Sequence, residues 1–332
     1  MLYYDSDSYY NCNSCCCCSY NFTPPTRDSV SVRNKSKDVI FSFDFTNCLR
    51  GIAILLVMVG HISAMMNTVV FSPLGGTGVA LFLLLSGFGL NESFKTHGLL
   101  CYWRKKVLRV LVPYFIVATV LYIFRWDFSW VGYLLDITAL KTHYWYIAFL
   151  MKWYIAFWFT SKYLLRYRTA ILCGMSVAIL LFFPNIEGEQ AFSFPVGMLI
   201  SIHLDSIKNL SSKKVVSIAC IMFLAGTTFL ALKQLPVIRE FMSTWVYNVV
   251  QLFIKLPYAI SILCALQIFP KSMNSKFLLF SGVICYELYL FHMPFFGDLD
   301  GSLWSGLLLL VVSFAVCYPF SLMNKRIIRI FS

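Results

Sequence analysis

Residues 43–66 read FDFTNCLRGIAILLVMVGHISAMM, an apolar run long enough to cross a membrane as a helix. Within this run, ten residues separate Arg50 from His61. Eleven helical steps complete three turns with roughly 20° left over, so both side chains fall on one face, about 16 Å apart along the axis. Ionisable groups inside a membrane are costly in lipid, so they face a protein interior or a wet cavity and mark functional sites. We therefore expect a cation near one end of this helix and an imidazole near mid-depth.

The composition places the rest of the chain in the same class. The 332 residues are 59% hydrophobic and only 13% charged, with a mean hydropathy of +0.73. A soluble protein of this size would carry far more charge. The net charge of +12 does not indicate nucleic acid, because the basic residues punctuate apolar segments instead of forming a stripe on a soluble domain. The predicted fold class is an all-α polytopic integral membrane protein with about ten transmembrane helices in one bundle.

The apolar runs and the charges between them predict a topology. The spans are expected near 43–65, 75–94, 108–124, 144–161, 169–183, 191–203, 215–231, 246–268, 277–295 and 303–323. With ten spans both termini lie on one side, and most of the 27 lysine and arginine residues fall on that side. Loops rich in Lys and Arg stay in the cytoplasm, so both termini are predicted to be cytoplasmic.

Residues 1–38 differ in composition and are predicted to be a disordered leader, followed by a transmembrane domain at 39–330. The leader is rich in Tyr, Ser, Asn and Cys and lacks the apolar core of a signal peptide. Its cysteines, Cys12 and Cys15–Cys18, suggest a metal site at first sight. However, no histidine accompanies them, and four adjacent cysteines cannot all turn toward one tetrahedral ion. We therefore expect no bound metal.

Two apolar segments contain residues that suit a substrate channel. The segment GGTGVALFLLLSGFGL at 75–90 is rich in small residues and includes Ser86, which favours either close helix packing or the lining of a site. In HYWYIAFLMKWYIAF at 143–157, Trp145 and Lys152 share a helical face. The aromatic residues there would also fit an interfacial belt, but Lys152 would not.

A basic segment, YWRKKVLRVLVPY at 102–114, stands at the entrance of a predicted span. The segment contains a compact cationic patch that suits phosphate groups, formed by Arg104, Lys105, Lys106 and Arg109. Basic residues at the ends of spans also commonly set topology or contact lipid headgroups. The composition alone favours that second interpretation.

The segment GVICYELYLFHMPFF at 282–296 carries an unusual concentration of polar side chains for an apolar run. Tyr289 and His292 fall on one helical face, and Tyr286 and Glu287 lie beside them in the sequence. A single histidine in a span is more often a helix–helix hydrogen-bonding group than a catalyst. Four such groups together predict the wall of a polar cavity.

Five of these segments together resemble the acyltransferase-3 family of membrane-bound O-acyltransferases, which modify bacterial surface carbohydrates. In order along the chain they are LRGIAILLVMVGH, GVALFLLLSGF, KKVLRVLVPY, HYWYIAF and CYELYLFHMP. Each segment is weak alone, but all five occur in family order, and the resemblance covers roughly residues 41–328. Two positions depart from the family pattern: Asn47 stands where an acid is usual, and Lys106 stands where an arginine is usual.

The resemblance implies an O-acyltransferase, usually an O-acetyltransferase, in a bacterial inner (plasma) membrane. Such an enzyme moves an acyl group from a cytoplasmic coenzyme A thioester to a hydroxyl of a cell-surface or lipid-linked glycan. Acetyl-CoA is then a co-substrate, and no cofactor is expected to be bound. The expected partners are acyl-CoA, a glycan or lipid-linked sugar acceptor and membrane lipid, without nucleic acid.

The resemblance also implies roles for individual residues. His61 would act as general base on the acceptor hydroxyl or carry the acyl group covalently, and Arg50 would steady the pantetheine or orient the catalytic groups. Three basic residues would hold the phosphates of the donor: Lys105, Lys106 and Arg109. Three groups are candidates for stabilising the oxyanion: Ser86, Tyr289 and His292. The remaining residues expected to line the channel are Trp145, Lys152, Tyr286 and Glu287.

A membrane transporter or ion-coupled carrier is the alternative to an enzyme. Buried His, Glu and Lys side chains also mark ion and proton paths through membranes. Transporters of this kind commonly contain internal repeats, and the sequence shows none. A sensor or scaffold is a third possibility, but it gives no reason for an Arg–His pair inside a span.

Overall fold

The computed structural model describes residues 41–66, 71–124, 129–137, 144–183, 185–295 and 301–331. Of these residues 88% are helical, and no strand occurs within these ranges. This confirms the predicted all-α fold class. The predicted leader at 1–38 and its cysteines lie outside the described residues.

Helices of very different lengths follow one another along the chain. In order they are α1 Phe43–Met65, α2 Ser72–His97, α3 Tyr102–Phe124, α4 Trp130–Ile137, α5 Trp145–Tyr163, α6 Leu165–Phe182, α7 Asn185–Gly188, α8 Ser193–Ile202, α9 Leu204–Lys208, α10 Ser212–Leu232, α11 Pro236–Arg239, α12 Trp245–Ile268, α13 Lys276–Val283, α14 Cys285–Phe295 and α15 Leu303–Phe331. Helix α3 contains a π-helical turn at Val107–Leu111, and α6 begins with a 3-10 turn at Leu165–Tyr167.

Seven of these helices are long and apolar enough to cross a membrane, namely α1, α2, α3, α6, α10, α12 and α15. Helices α13 and α14 meet the same criteria together but are bent by 73° at their junction, as in a broken span or a re-entrant loop. The described part of the chain is therefore a multi-pass membrane protein with seven or eight candidate spans. The predicted count of about ten is not confirmed.

Two of the ten predicted spans account for the difference. The segment near 191–203 forms only α8, whose 10 residues extend about 15 Å, half the thickness of a bilayer core. The segment near 144–161 forms α5, which has 19 residues but contains lysine, tyrosine and tryptophan residues that lower its mean hydropathy. Both helices still contribute fully buried side chains to the core, such as Phe194 and Trp153.

Helices α1 and α2 lie at the centre of the bundle. Helix α1 packs against α2 and α13, and α2 packs against α8 and α12. Glycines allow these close approaches, since an added Cβ at Gly282 would overlap the backbone of Asn47, and one at Gly197 would overlap the backbone of Leu84. Gly87 is similarly pressed against α8, so small residues of the 75–90 segment do serve helix packing.

Replacing Gly282 with alanine is expected to lower the unfolding temperature of the detergent-solubilised protein. The new Cβ would meet the backbone of Asn47, which cannot move aside as a flexible side chain can, and overpacking of this kind costs about 1–3 kcal/mol. The matched control is Gly174→Ala in α6, where no heavy atom of the described residues lies within 4 Å of the added Cβ. Equal melting temperatures for the two variants would contradict the close α1–α13 contact.

Candidate active site

Two histidines that are far apart in the sequence meet inside the bundle. His61 Nδ1 lies 3.0 Å from His292 Nε2, and the ring centroids are 5.2 Å apart. His292 Nδ1 lies 2.7 Å from the carbonyl oxygen of Leu288. A carbonyl only accepts hydrogen bonds, so His292 Nδ1 carries a proton and its Nε2 accepts from His61 Nδ1. In a neutral His61 this arrangement puts the basic lone pair on Nε2.

The histidine pair lies toward one end of α1 and Arg50 toward the other. Helix α1 has 23 residues and is about 34 Å long. Because the helix ends at Met65, His61 lies about one turn from that end. His61 is partly exposed, whereas His292 is buried.

Hydroxyl side chains occupy the interval between Arg50 and the histidine pair. We call this group the tyrosine column, and its members are Ser86, Tyr146, Tyr154 and Tyr289. The Ser86 hydroxyl hydrogen-bonds with the hydroxyls of Tyr146 and Tyr154, and Tyr154 also interacts electrostatically with Arg50. The ring of Tyr289 lies 5.4 Å from that of Tyr146 and 6.1 Å from that of His292. The column therefore provides a series of polar groups that leads from Arg50 to the histidines.

A pocket opens beside Arg50, between α1, α3, α13, α14 and α15. We call it the inner pocket, and its lining residues are Asn47, Arg50, Arg109, Pro113, Gly282, Val283, Cys285, Tyr286, Glu287, Asn324 and Ile328. Arg50 Nη1 donates to Asn47 Oδ1 at 2.9 Å. The amide that replaces the acid of the family pattern therefore still holds the guanidinium in place.

A second, basic pocket adjoins the inner pocket. We call it the basic mouth, and its lining residues are Leu100, Cys101, Arg104, Lys105, Leu108, Arg109 and Ile328. Arg109 and Ile328 line both pockets, so the two are neighbours. Arg109 also belongs to the π-helical turn of α3, and such turns occur frequently at functional sites. The guanidinium of Arg104 donates to the carbonyl of Phe331, so the end of α15 frames the mouth.

Lys106 joins neither pocket, although the sequence grouped it with Lys105 and Arg109. Its side chain is buried, with Nζ 4.2 Å from the ring centroid of Tyr154. Residues four apart share a helical face, so Lys105 and Arg109 point together while Lys106 points about 100° away from Lys105. Lys106 thus makes a cation–π contact with the tyrosine column, whereas Arg104 of the same cationic patch does line the mouth.

Three other residues that were expected to line a channel have different surroundings. Tyr286 lines the inner pocket, and its hydroxyl donates to the Val110 carbonyl at 2.6 Å, which ties α14 to α3. Trp145 packs edge-on against Tyr146 at 6.3 Å, next to the tyrosine column. Lys152 is 47% exposed and pairs with Glu187 at 2.8 Å, so the structure does not bring it to the pockets or to the column.

A buried ion pair joins Lys255 of α12 to Glu189, and the sequence patterns did not predict it. The two side chains are only 8% and 12% exposed. The stem of Lys255 lies against Gly76, where any larger residue would collide with it, and Gln190 Nε2 donates to the Gly76 carbonyl at 2.9 Å. Burial lowers the pKa of the neighbouring Lys233 below its ordinary value, and the positive charge of Lys255 lowers it further. The sequence did contain a signal for this pair, because Lys255 is a charged residue inside the predicted span 246–268.

The groups assembled here suit proton transfer and anion binding. The histidine pair provides a basic imidazole, and the guanidiniums of Arg50, Arg104 and Arg109 provide sites for anions. Within the described ranges, no group of three or more His, Cys, Asp or Glu side chains is placed to hold a metal ion. The fold and the site together define an integral-membrane protein with pockets lined by cations around Arg50 and a basic imidazole toward the other end of α1.

Comparison with known families identifies this class. The sequence model of the acyltransferase-3 family, described as an acyltransferase domain, matches residues 43–322. The chain therefore belongs to the acyltransferase-3 family and is an integral-membrane acyltransferase, as the resemblance of its motifs predicted. Comparisons with curated proteins and with solved structures give no significant match.

The variant Lys255→Met is expected to destabilise the fold by about 3–5 kcal/mol, because it leaves the buried Glu189 carboxylate without its cation. The double variant Lys255→Met/Glu189→Gln removes both charges and is expected to recover part of this loss. Thermal unfolding of the purified protein measures both. Lys152→Met is the comparison variant, because Lys152 is 47% exposed while its partner Glu187 is as buried as Glu189, so only the burial of the cation differs and a smaller loss is expected. The buried pair would be unimportant if Lys255→Met melted at the temperature of the comparison variant.

Proposed function

We propose that this protein is an O-acetyltransferase that moves an acetyl group from acetyl-CoA to a hydroxyl of a cell-surface or lipid-linked glycan. Membership of the acyltransferase-3 family establishes acyl transfer in general, and the identity of donor and acceptor is our proposal. The observation that supports it best is the hydrogen-bonded series from the Leu288 carbonyl through His292 to His61. This series holds one imidazole ready to accept a proton from an alcohol.

The donor would enter through the basic mouth. Coenzyme A carries several phosphate charges at one end and its thioester at the other. Arg104, Lys105 and Arg109 line the mouth, and guanidinium and ammonium groups bind phosphates by charge-assisted hydrogen bonds. With the phosphates held there, the thioester arm would extend into the inner pocket past Arg50, and the walls of this pocket would have to move apart because its volume is only about 30 Å³. Acetyl-CoA is thus consumed as a co-substrate.

The arm would then continue along the face of α1 that carries both Arg50 and His61. These two residues are about 16 Å apart on that face. The lining of the inner pocket includes Cys285 and Tyr286 but neither histidine, and the tyrosine column lies between Arg50 and the histidine pair. Transfer therefore requires the side chains of the column to move aside, and their hydroxyls then line the path of the thioester.

The chemistry follows from the tautomers of the two histidines. His61 Nε2 takes the proton of the acceptor hydroxyl while the hydroxyl oxygen attacks the thioester carbonyl carbon. His292 Nε2 accepts from His61 Nδ1 and so stabilises the imidazolium that forms, as a carboxylate does in hydrolase triads. Hydroxyls of Ser86 or Tyr289 donate to the oxyanion. The C–S bond then breaks, and the departing CoA thiolate takes the proton from His61 Nε2.

We further propose that the basic mouth faces the cytoplasm of a bacterial inner membrane, with both chain termini on that side. Basic residues concentrate at that end of the helices, as expected for cytoplasmic ends. His61 lies near the opposite end of α1 and is partly exposed. The acceptor would therefore reach the imidazole from the outer side, and only the acyl group would cross the membrane.

His61→Ala is expected to lower the transfer of label from acetyl-CoA to membrane glycan by roughly 10²–10⁴-fold, the usual contribution of a general base. Binding of CoA to the purified variant should stay as in the wild type, because the donor phosphates lie at the other end of the site. His97→Ala, at the exposed end of α2, is the matched control. Transfer at the normal rate by His61→Ala would refute the assignment of the base.

Arg109→Ala is expected to raise the KM for acetyl-CoA by roughly tenfold and to make binding less sensitive to salt, because a charge-assisted phosphate contact is lost. Lys106→Met is the informative comparison on the same helix. Since Lys106 packs over Tyr154, its loss should lower the melting temperature and leave the KM nearly unchanged. Initial rates at two ionic strengths, together with thermal unfolding, measure both effects. An unchanged KM for Arg109→Ala together with a raised KM for Lys106→Met would show that the donor phosphates bind elsewhere.

A further inference from the structure

The reaction described above gives no role to Glu287 and Asn324, two polar residues of the inner pocket. Glu287 lies on α14 and Asn324 on α15, and they are only 5% and 3% exposed. Asn324 Nδ2 donates to Glu287 Oε1 at 3.2 Å. The other two oxygens, Glu287 Oε2 and Asn324 Oδ1, have no hydrogen-bond partner in the described part of the chain. Buried acceptors without partners are costly and rare, so each one calls for an explanation.

Both residues line the inner pocket, so a ligand that enters this pocket meets two neighbouring acceptor groups. Such a ligand has to offer N–H or O–H donors. Arg50 and Arg109 line the same pocket and attract anions, but at the wall formed by Glu287 and Asn324 a phosphate or carboxylate would meet acceptors only and be repelled by the Glu287 carboxylate when ionised. A neutral chain that carries amide N–H groups does fit. The chemistry of the wall thus differs from that of the basic mouth next to it.

We propose that Glu287 and Asn324 recognise the amide N–H groups in the pantetheine arm of the acyl-CoA donor. This inference rests on the proposed function, since it requires coenzyme A as the donor. The order of the groups in space matches their order in the ligand. The phosphates are bound in the mouth, the arm with its two secondary amides comes next in the inner pocket, and the thioester lies beyond. The hydrogen bond between Asn324 and Glu287 keeps the two acceptors side by side.

Neither Glu287 nor Asn324 is part of the motifs that this chain shares with the acyltransferase-3 family. In CYELYLFHMP the matching positions are the tyrosines, Leu290, His292 and the proline, and Glu287 stands at an open position. Asn324 lies beyond residue 322, where the family match ends. A purely structural pair between α14 and α15 would affect stability alone, so the test has to separate ligand recognition from folding.

The test uses the purified full-length chain and two ligands. Coenzyme A contains the pantetheine arm, and adenosine 3′,5′-bisphosphate carries similar phosphates without it. Glu287→Met and Asn324→Leu each remove the acceptors with little change in side-chain volume. Each variant is expected to bind coenzyme A roughly tenfold more weakly or worse, with unchanged affinity for the bisphosphate. The KM for acetyl-CoA should rise in parallel, and kcat should change little.

Two further variants keep the result interpretable. Glu287→Gln retains one acceptor oxygen, so it should lose less affinity than Glu287→Met and serves if the latter fails to fold. Ser313→Ala is the matched control, because Ser313 is a buried residue of α15 whose hydroxyl also lacks a partner among the described residues, yet it lies outside the inner pocket. It should bind both ligands as the wild type does.

The outcomes separate this inference from the proposed function. Unchanged affinity of the Glu287 and Asn324 variants for coenzyme A overturns the inference, and so does an equal loss of affinity for both ligands, which indicates a structural role. In either case a wild-type chain that binds coenzyme A and transfers acetyl groups leaves the proposed function intact. If the wild-type chain binds no coenzyme A, the proposed function itself fails and the inference fails with it.

Discussion

The high cost of a polar or charged side chain in hydrocarbon governs the arrangement of this protein. Several such groups in the spanning helices therefore turn inward to a partner or a pocket. Arg50 is held by Asn47, Lys255 is paired with Glu189, and the ammonium of Lys106 lies over a tyrosine ring. Glycine contacts bring the helices close enough for these interactions to form. The polar interior is thus a consequence of the same packing that holds α1 and α2 at the centre.

This inward arrangement also sorts the polar groups by type along one direction. The basic mouth gathers cations, the inner pocket combines guanidiniums with hydrogen-bond acceptors, the tyrosine column offers neutral hydroxyls, and the histidine pair ends the series. The positive charge of the side chains therefore decreases from the basic mouth toward the histidine pair. An anionic donor with a neutral reactive end fits such a gradient, because its charges stay at the mouth while its uncharged arm reaches inward.

Sequence patterns predicted the single helices well and their partners poorly. The spacing of Arg50 and His61 placed both on one face of α1, and the five motifs in order identified the family that was then confirmed. Apolar runs near 144–161 and 191–203 were taken for full spans, although one is too polar and the other too short. Lys106 was grouped with Arg109 because the two are close in the sequence. Successive side chains of a helix point about 100° apart, so this proximity did not place them on one face.

The amino-acid sequence by itself determined the class of protein, the helices and the face on which each polar residue lies, because hydropathy and helical period are local properties. Only the tertiary structure decided which faces meet. His61 and His292 are 231 positions apart, and their bond depends on how α14 turns back toward α1 after the 73° bend. Likewise, Glu287 and Asn324 become neighbours only when α14 and α15 pack together. Helix packing depends on the shape of whole surfaces, which no single segment encodes.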